Sequence, residues 1–342
     1  MRRINAIECF ATIFFSSFVF SIGAAKAATV GDCTFYAGAQ TPTNNVYVES
    51  YASWDMKEFD PTVPDGTVLS RAVAVIVSQN DVYNVKCGSP IGWTTYAGMG
   101  QRGPYDTYAS NVSGVGLRLT SNDGTKIYPA RAYDMSTSQS LMGLRNTAIE
   151  LVKTGPITAQ GAVSGEIARY TFDDKNLIAA RLYIAGNIQI KPLVPTCSVR
   201  TKSIDVSMDG ANVQSFTGVG STSGSKPFDI TLNCGGGTRG AMTRMFMTMT
   251  DAANTGNRST TLSLSPGSTA RGVGYQVVNQ NTGDLVSYGP DSSAISNPGQ
   301  WFVGQYGNQD VTIPLVARYV QTEAGITAGI ANAVATFTMS YQ

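Results

Sequence analysis

The sequence contains no histidine. That removes Ser-His-Asp and Cys-His nucleophile activation, together with every histidine-based metal site. Charged residues make up only 14% of the 342 positions, 24 basic against 23 acidic. A chain this neutral, with no basic block, is a poor partner for nucleic acid or an anionic membrane surface. There is no close C-x-x-C pair to hold zinc, no P-loop and no dinucleotide fingerprint. Long stretches of helical periodicity are missing, and no run of eighteen apolar residues follows the N-terminal region, so membrane insertion is not expected. No cofactor or metal is expected. An enzyme built on this chain would need carboxylate pairs such as Asp173-Asp174 or Asp205 with Asp209. Adjacent acids on a strand point to opposite faces, which argues against Asp173-Asp174 sharing one site.

What the chain does have is glycine (36 residues) with recurrent Thr, Ser, Val and Tyr, a composition suited to strands and turns. The length accommodates two domains, and the fold class read from it is all-β. Met1–Ala27 has the form of a secretory leader. Arg2 and Arg3 precede an apolar core, Phe10 to Ala24, and Ala25-Lys26-Ala27 is a small-x-small cleavage site. Removing its Arg2, Arg3, Lys26 and Glu8 leaves 21 basic against 22 acidic residues. Cys9 leaves with it. Cys33, Cys87, Cys197 and Cys234 remain, and four cysteines allow three pairings. They fall as two well-separated pairs, so Cys33–Cys87 and Cys197–Cys234 is the economical reading in an oxidising compartment. Each such loop closure contributes about 4 kcal/mol on the chain-entropy account.

Between Ala28 and Lys191, strand-like runs at Val46–Ser50, Thr67–Ser78, Val115–Ser121, Ala148–Thr154, Gly165–Phe172 and Arg181–Ile190 are separated by turn residues, as in a β-sandwich. The least strand-like stretch, Cys87 to Asn111, carries Trp93, Tyr96, Arg102, Tyr105, Asp106 and Tyr108. Aromatic rings held near a disulfide suit a sugar or a protein surface, with Arg and Asp fixing polar groups. The alternative is that these rings cap the end of the core. Trp54, in Trp54-Asp55-Met56-Lys57-Glu58-Phe59, is a second binding candidate, with a packing role as its alternative.

Lys191-Pro192-Leu193-Val194-Pro195-Thr196 reads as a short stiff linker, residues 192–196, ahead of a second domain at 197–342. That domain ends on a period-two run. Ala331, Ala333, Ala335, Phe337, Met339 and Tyr341 alternate with Asn332, Val334, Thr336, Thr338 and Ser340. A sandwich ending on such a strand leaves an open sheet edge that invites another chain. The alternative is an ordinary last strand of a complete sandwich.

Gly329, fourteen positions from the end, the alternating run and the penultimate Tyr341 resemble the C-terminal signature of subunits assembled by the chaperone–usher pathway of bacterial pili. Val311 to Gly329 is similar to the segment leading into that motif, and the resemblance extends from Pro195 to Gln342. It implies an incomplete immunoglobulin-like module lacking its last strand. A periplasmic chaperone lends that strand, an outer-membrane usher exports the subunit, and an adjacent pilus subunit later supplies the replacement. On that reading Gly329, Ala333, Ala335, Phe337, Met339 and Tyr341 form the donor-strand interface.

A whole disulfide-bearing domain stands where a shaft subunit would carry a short donor extension. The arrangement resembles the two-domain tip adhesins of the type 1 fimbrial family, whose N-terminal domain binds a host glycan or extracellular-matrix protein. The chain departs from the mannose-binding members. Cys87 is followed by Gly88-Ser89-Pro90-Ile91-Gly92-Trp93 and not by an Asn-Asp-Tyr stretch, so no mannose pocket is carried over. The resemblance leaves two further roles open, a non-binding tip subunit that initiates assembly and an adhesin for biofilm or abiotic surfaces.

Overall fold

The computed structural model describes residues 31–38, 41–141, 147–200 and 202–342; the leader assigned to Met1–Ala27 lies outside them. Strands, numbered in chain order, dominate, and helical structure among the described residues is confined to three single 3-10 turns.

Three sheets build the first sandwich. The largest has the order β10 (Ala130–Asp134), β7 (Gly92–Gly98), β13 (Gly161–Phe172), β14 (Leu177–Ile190), β3 (Tyr47–Ala52), β5 (Ile76–Gln79). A second has β11 (Ser138–Ser140), β6 (Val82–Cys87), β1 (Cys33–Ala37), β2 (Thr41–Thr43). The third has β4 (Val68–Val73), β12 (Thr147–Lys153), β9 (Val115–Ser121), β8 (Tyr108–Ala109). All pairings are antiparallel except β14 with β3. The sheets share one core, in which Phe35, Tyr51, Tyr96, Leu119, Ile149, Phe172 and Leu182 are buried.

Two sequence readings change here. The run Thr67–Ser78 is not one strand. It bends at Ala74–Val75, where Ala74 N–H bonds Thr147 and Val75 C=O bonds Ala52, so its halves join different sheets. The segment Cys87–Asn111 is not all loop either. Its residues 92–98 form β7, an interior strand between β10 and β13.

The second sandwich has a four-stranded sheet, β15 (Thr196–Val199), β16 (Thr222–Gly235), β20 (Asp310–Gln321), β18 (Val273–Asn279), and a three-stranded one, β19 (Trp301–Tyr306), β17 (Thr243–Asp251), β21 (Ala335–Tyr341). Its core is built from Ile230, Leu232, Met245, Met247, Met249, Val277, Ile313 and Leu315. Cys33–Cys87 and Cys197–Cys234 are both bonded, each between directly opposed residues of neighbouring strands, β1/β6 and β15/β16. This is the pairing that the spacing suggested.

The two sandwiches are joined through a fastened segment. Phe59 N–H bonds Lys191 C=O and Leu193 N–H bonds Phe59 C=O, at 3.2 and 2.9 Å, on the side of the first sandwich. On the other side Thr238 N–H bonds Leu193 C=O at 2.8 Å. Pro192, Val194 and Pro195 are buried. Stiffness here comes from hydrogen bonds on both flanks as well as from proline.

Candidate functional site

Strand β21 has one neighbour among the described residues. Its ladder with β17 runs from Met245 opposite Tyr341 to Asp251 opposite Ala335, and its outer edge is unpaired. The period-two pattern read from Ala331 enters the ladder only at Ala335. Residues 331–334 are held instead by loop contacts, with Ser265 N–H bonding Asn332 C=O and Tyr275 Oη bonding Ala331 C=O, at 2.7 and 2.8 Å.

The core-facing residues of β21 are incompletely covered. Met245, Met247 and Met249 on β17 are buried, whereas Ala335, Phe337, Met339 and Tyr341 beside them are only half-buried, as are Ala331 and Ala333. Residues 202–211 have the same character. Strand β15 pairs with only the last four residues of β16. Beyond it Ile204, Val206 and Met208 are half-buried and alternate with exposed Ser203, Asp205 and Ser207. Ile204 and Met208 pack on the core, yet residues 202–211 make no backbone hydrogen bond among the described residues. Strand β21 and residues 202–211 thus each have an apolar row turned inward and a backbone edge with no strand partner among the described residues. Tyr341 Oη donates to Cys197 C=O at 2.8 Å. At Gly329 a Cβ would sit 2.5 Å from Thr269 Oγ1 and 2.6 Å from Ala270 N.

The aromatic candidates of the first sandwich do not form one site. Because 92–98 is a strand, alternate residues face opposite ways. Tyr96, 5% exposed, points into the core, and Tyr108 is 3% exposed, so neither ring is open to solvent. Trp54 packs against that core and donates its indole N–H to Ser70 Oγ at 2.9 Å. Arg102, Tyr105 and Asp106 lie at a separate 3-10 turn, Pro104–Asp106. There Arg102 pairs with Asp106 at 2.6 Å. Tyr105 and Asp106 hold left-handed backbone angles, φ 57° and 61°, and the Tyr105 ring lies on Gly66.

Trp93 faces out, 39% exposed, with partners that the sequence reading missed. Tyr133, directly opposite it on edge strand β10 and 53% exposed, meets it edge-to-face at 5.2 Å and 76°. The Arg131 guanidinium lies 4.4 Å from the Trp93 ring centre. Such contacts contribute about 0.5–1 kcal/mol at exposed sites, enough to orient the side chains. Beneath them the 3-10 turn Asp173–Lys175 acts as a staple. Asp173 accepts from Thr95 Oγ1 at 2.7 Å and Arg131 Nε at 3.3 Å, and Asp174 accepts from Trp93 N–H at 3.0 Å. Both aspartates thus bond β7, and Asp173 also reaches β10, because they sit on a turn and not on an extended strand. Lys175 binds Asp32 and Ser89 at 3.0 and 2.6 Å.

Comparison with known proteins gives two family matches. Residues 183–342 match the family model described as "Fimbrial protein", and residues 58–187 match "MrkD-like receptor binding domain". The chain is 31% identical over 150 residues to the F17c-G fimbrial adhesin of Escherichia coli, covering 44% of this chain. That alignment spans 42% of the adhesin's own length. It is 33% identical over 149 residues to the fimbrial subunit type 1 of Salmonella typhimurium, covering 43% of this chain and 76% of that one. Over 301 residues it is 26% identical to the fimbria adhesin protein of Klebsiella pneumoniae, covering 82% of this chain and 87% of that protein. All three relatives are fimbrial proteins by name.

Proposed function

Because the chain belongs to the fimbrial protein family, we propose that it is a tip adhesin, anchored by strand complementation of its C-terminal domain and carrying receptor binding on its N-terminal one. The domains on this reading are 28–191 and 197–342, joined by 192–196. The leader directs the chain to the periplasm, and the mature protein stands at a fimbrial tip on the cell surface. Its partners are a periplasmic chaperone, an outer-membrane usher, an adjacent pilus subunit, and a host glycan or extracellular-matrix protein. No catalytic role is included.

One observation carries the reading: the half-covered inward rows of β21 and of Ile204–Met208, each beside an unpaired backbone edge. An incoming strand with alternating apolar residues would satisfy both edges and cover both rows. Each large side chain brought to full burial contributes up to about 1.5–3 kcal/mol, so the unfilled domain is the less stable form.

The test is co-production with a pilus chaperone in the periplasm. A 1:1 complex is expected, with recovery abolished by Met339→Arg or Phe337→Asp. A stable free monomer, or normal recovery of both variants, would sink strand acceptance. The adhesin half is tested by exposing the complex to glycan and matrix-protein arrays. Absence of any binding would favour a structural tip subunit.

A further inference from the structure

On the adhesin reading above, we propose that the receptor site is the outward corner made by Trp93, Tyr133 and Arg131 over Asp173, and that its ligand is a neutral pyranose of a surface glycan. These residues occupy one face of the largest sheet. Trp93 opposes Tyr133, and Thr95 opposes both Arg131 and Thr171 across the ladders. The face is turned to solvent at the edge of the sheet, where β10 has no outer neighbour among the described residues.

The chemistry of the corner selects the ligand class. Two rings at 76° offer one flat wall and one perpendicular wall, both exposed. The C–H face of a pyranose carries slight positive charge and packs against the negative face of an aromatic ring, while its rim presents hydroxyls. Arg131 uses its Nε on Asp173, and neither Nη group makes a hydrogen bond among the described residues, which leaves both as donors for such hydroxyls. Tyr133 Oη is equally unengaged there, and it both donates and accepts.

Charged ligands fit less well. A cation would be repelled by the Arg131 guanidinium, which lies 4.4 Å from the Trp93 ring centre, whereas a neutral sugar would not. An anion would meet Asp173 and Asp174 against the single charge of Arg131, a like-charge juxtaposition that weakens binding. A broad protein epitope needs a larger apolar centre than two rings supply. The staple turn gives the corner the rigidity a shallow sugar site requires, since Asp173 and Asp174 fix Arg131, Thr95 and the Trp93 backbone at once.

The experiment uses the full chain in its chaperone complex on arrays of neutral glycans, sialylated and uronate-bearing glycans, and immobilised matrix proteins. D-glucose, D-galactose, D-mannose and N-acetylglucosamine serve as soluble competitors, with N-acetylneuraminic acid as the anionic control. Neutral glycans should bind, and a neutral monosaccharide should compete. Trp93→Ala and Tyr133→Ala should each lower affinity at least tenfold with unchanged melting temperature, and Arg131→Gln should do so to a lesser degree. Tyr105→Ala, at an exposed aromatic on the separate 3-10 turn, should bind as wild type. If binding survives Trp93→Ala and Tyr133→Ala within twofold, the site assignment fails and the adhesin reading stands. Binding only to acidic glycans or only to matrix proteins overturns the ligand class. No binding to any surface overturns both. Should Trp93→Ala not fold, Trp93→Phe and Tyr133→Ala carry the same discrimination.

Discussion

The hydroxyl of Tyr341 and the carbonyl of Cys197 are 2.8 Å apart, joining the last strand of the chain to the first disulfide residue of the second sandwich. Burial pushes the Tyr341 phenol above its ordinary value, so the group remains a donor at physiological pH. The bond ties β21 to β15 across the two sheets of the sandwich. Tyr341→Phe keeps the ring and removes one hydrogen bond, an expected loss of about 1 kcal/mol. Tyr341→Ala also removes half-buried ring surface and should cost more. Urea midpoints of the complemented chain should therefore fall in the order wild type, Phe, Ala. Identical midpoints for wild type and Phe would show that the bond adds nothing.

Gly329 is required by proximity. A methyl group there would press on Thr269 Oγ1 and on the Ala270 backbone nitrogen, 2.5 and 2.6 Å away. The surroundings cannot yield freely, because Thr269 N–H bonds Ile330 C=O and Ile330 N–H bonds Thr269 Oγ1, both at 2.8 Å. Gly329→Ala should destabilise by about 1–3 kcal/mol, the range for an overpacked site. Gly325→Ala, with open space around its Cβ position, is the matched control and should leave the melting temperature unchanged. Equal effects from the two substitutions would contradict the steric account.

How much of this was legible in the sequence depends on whether a feature is local. Period-two alternation from Ala335 to Tyr341 can be read directly, and so can a cysteine spacing that permits two local pairs. The Trp93 corner was only half legible. Its aromatic residue was visible, but Arg131, Tyr133 and Asp173 reach it across ladders whose register no single strand encodes. Glycines at both ends of β7 disguised it as a loop, and Tyr96 was grouped with Trp93 when strand alternation separates them. Nothing in Ile204, Val206 and Met208 announces that they form a half-covered row with no backbone partner among the described residues, because that depends on the fold around them.

Asp251 is expected to contribute to the acid limit of the second sandwich. The carboxylate is buried at the end of β17, opposite Ala335. Burial alone would raise its pKa. It is outweighed by hydrogen bonds from Ser263 N–H at 3.0 Å, Asn257 Nδ2 at 2.9 Å and Asn254 N–H at 3.1 Å, which hold it below the usual carboxylate value. A carboxyl depressed in the folded state stabilises at pH above its unfolded value and loses that contribution as pH falls through the folded one. Melting temperature should thus be flat near neutrality and fall below about pH 4, the unfolded carboxylate range. Asp251→Asn should lower stability at pH 7 and flatten the acid limb. A variant with the wild-type pH profile would remove Asp251 as its cause.

Thr158 connects the two sandwiches beside the end of β21 and the start of β17. Its hydroxyl donates to Gln342 O at 2.6 Å, and its carbonyl accepts from Thr243 Oγ1 at 3.1 Å. Ile157 beside it is buried, so the loop is seated and not merely adjacent. Together with the Phe59 and Thr238 bonds that fasten residues 191–193, this contact predicts that the two halves unfold as a coupled unit. Thr158→Val removes the bond to Gln342 and retains shape, an expected loss of about 1 kcal/mol at the interface. Thr243→Val removes the second bond. The two residues share one partner loop, so the double variant should depart from additivity. Calorimetry of the complemented chain should give one transition for wild type and two resolved transitions for the double variant. Two transitions already in the wild-type protein would mean that the halves are independent and that the Thr158 contact transmits nothing between them.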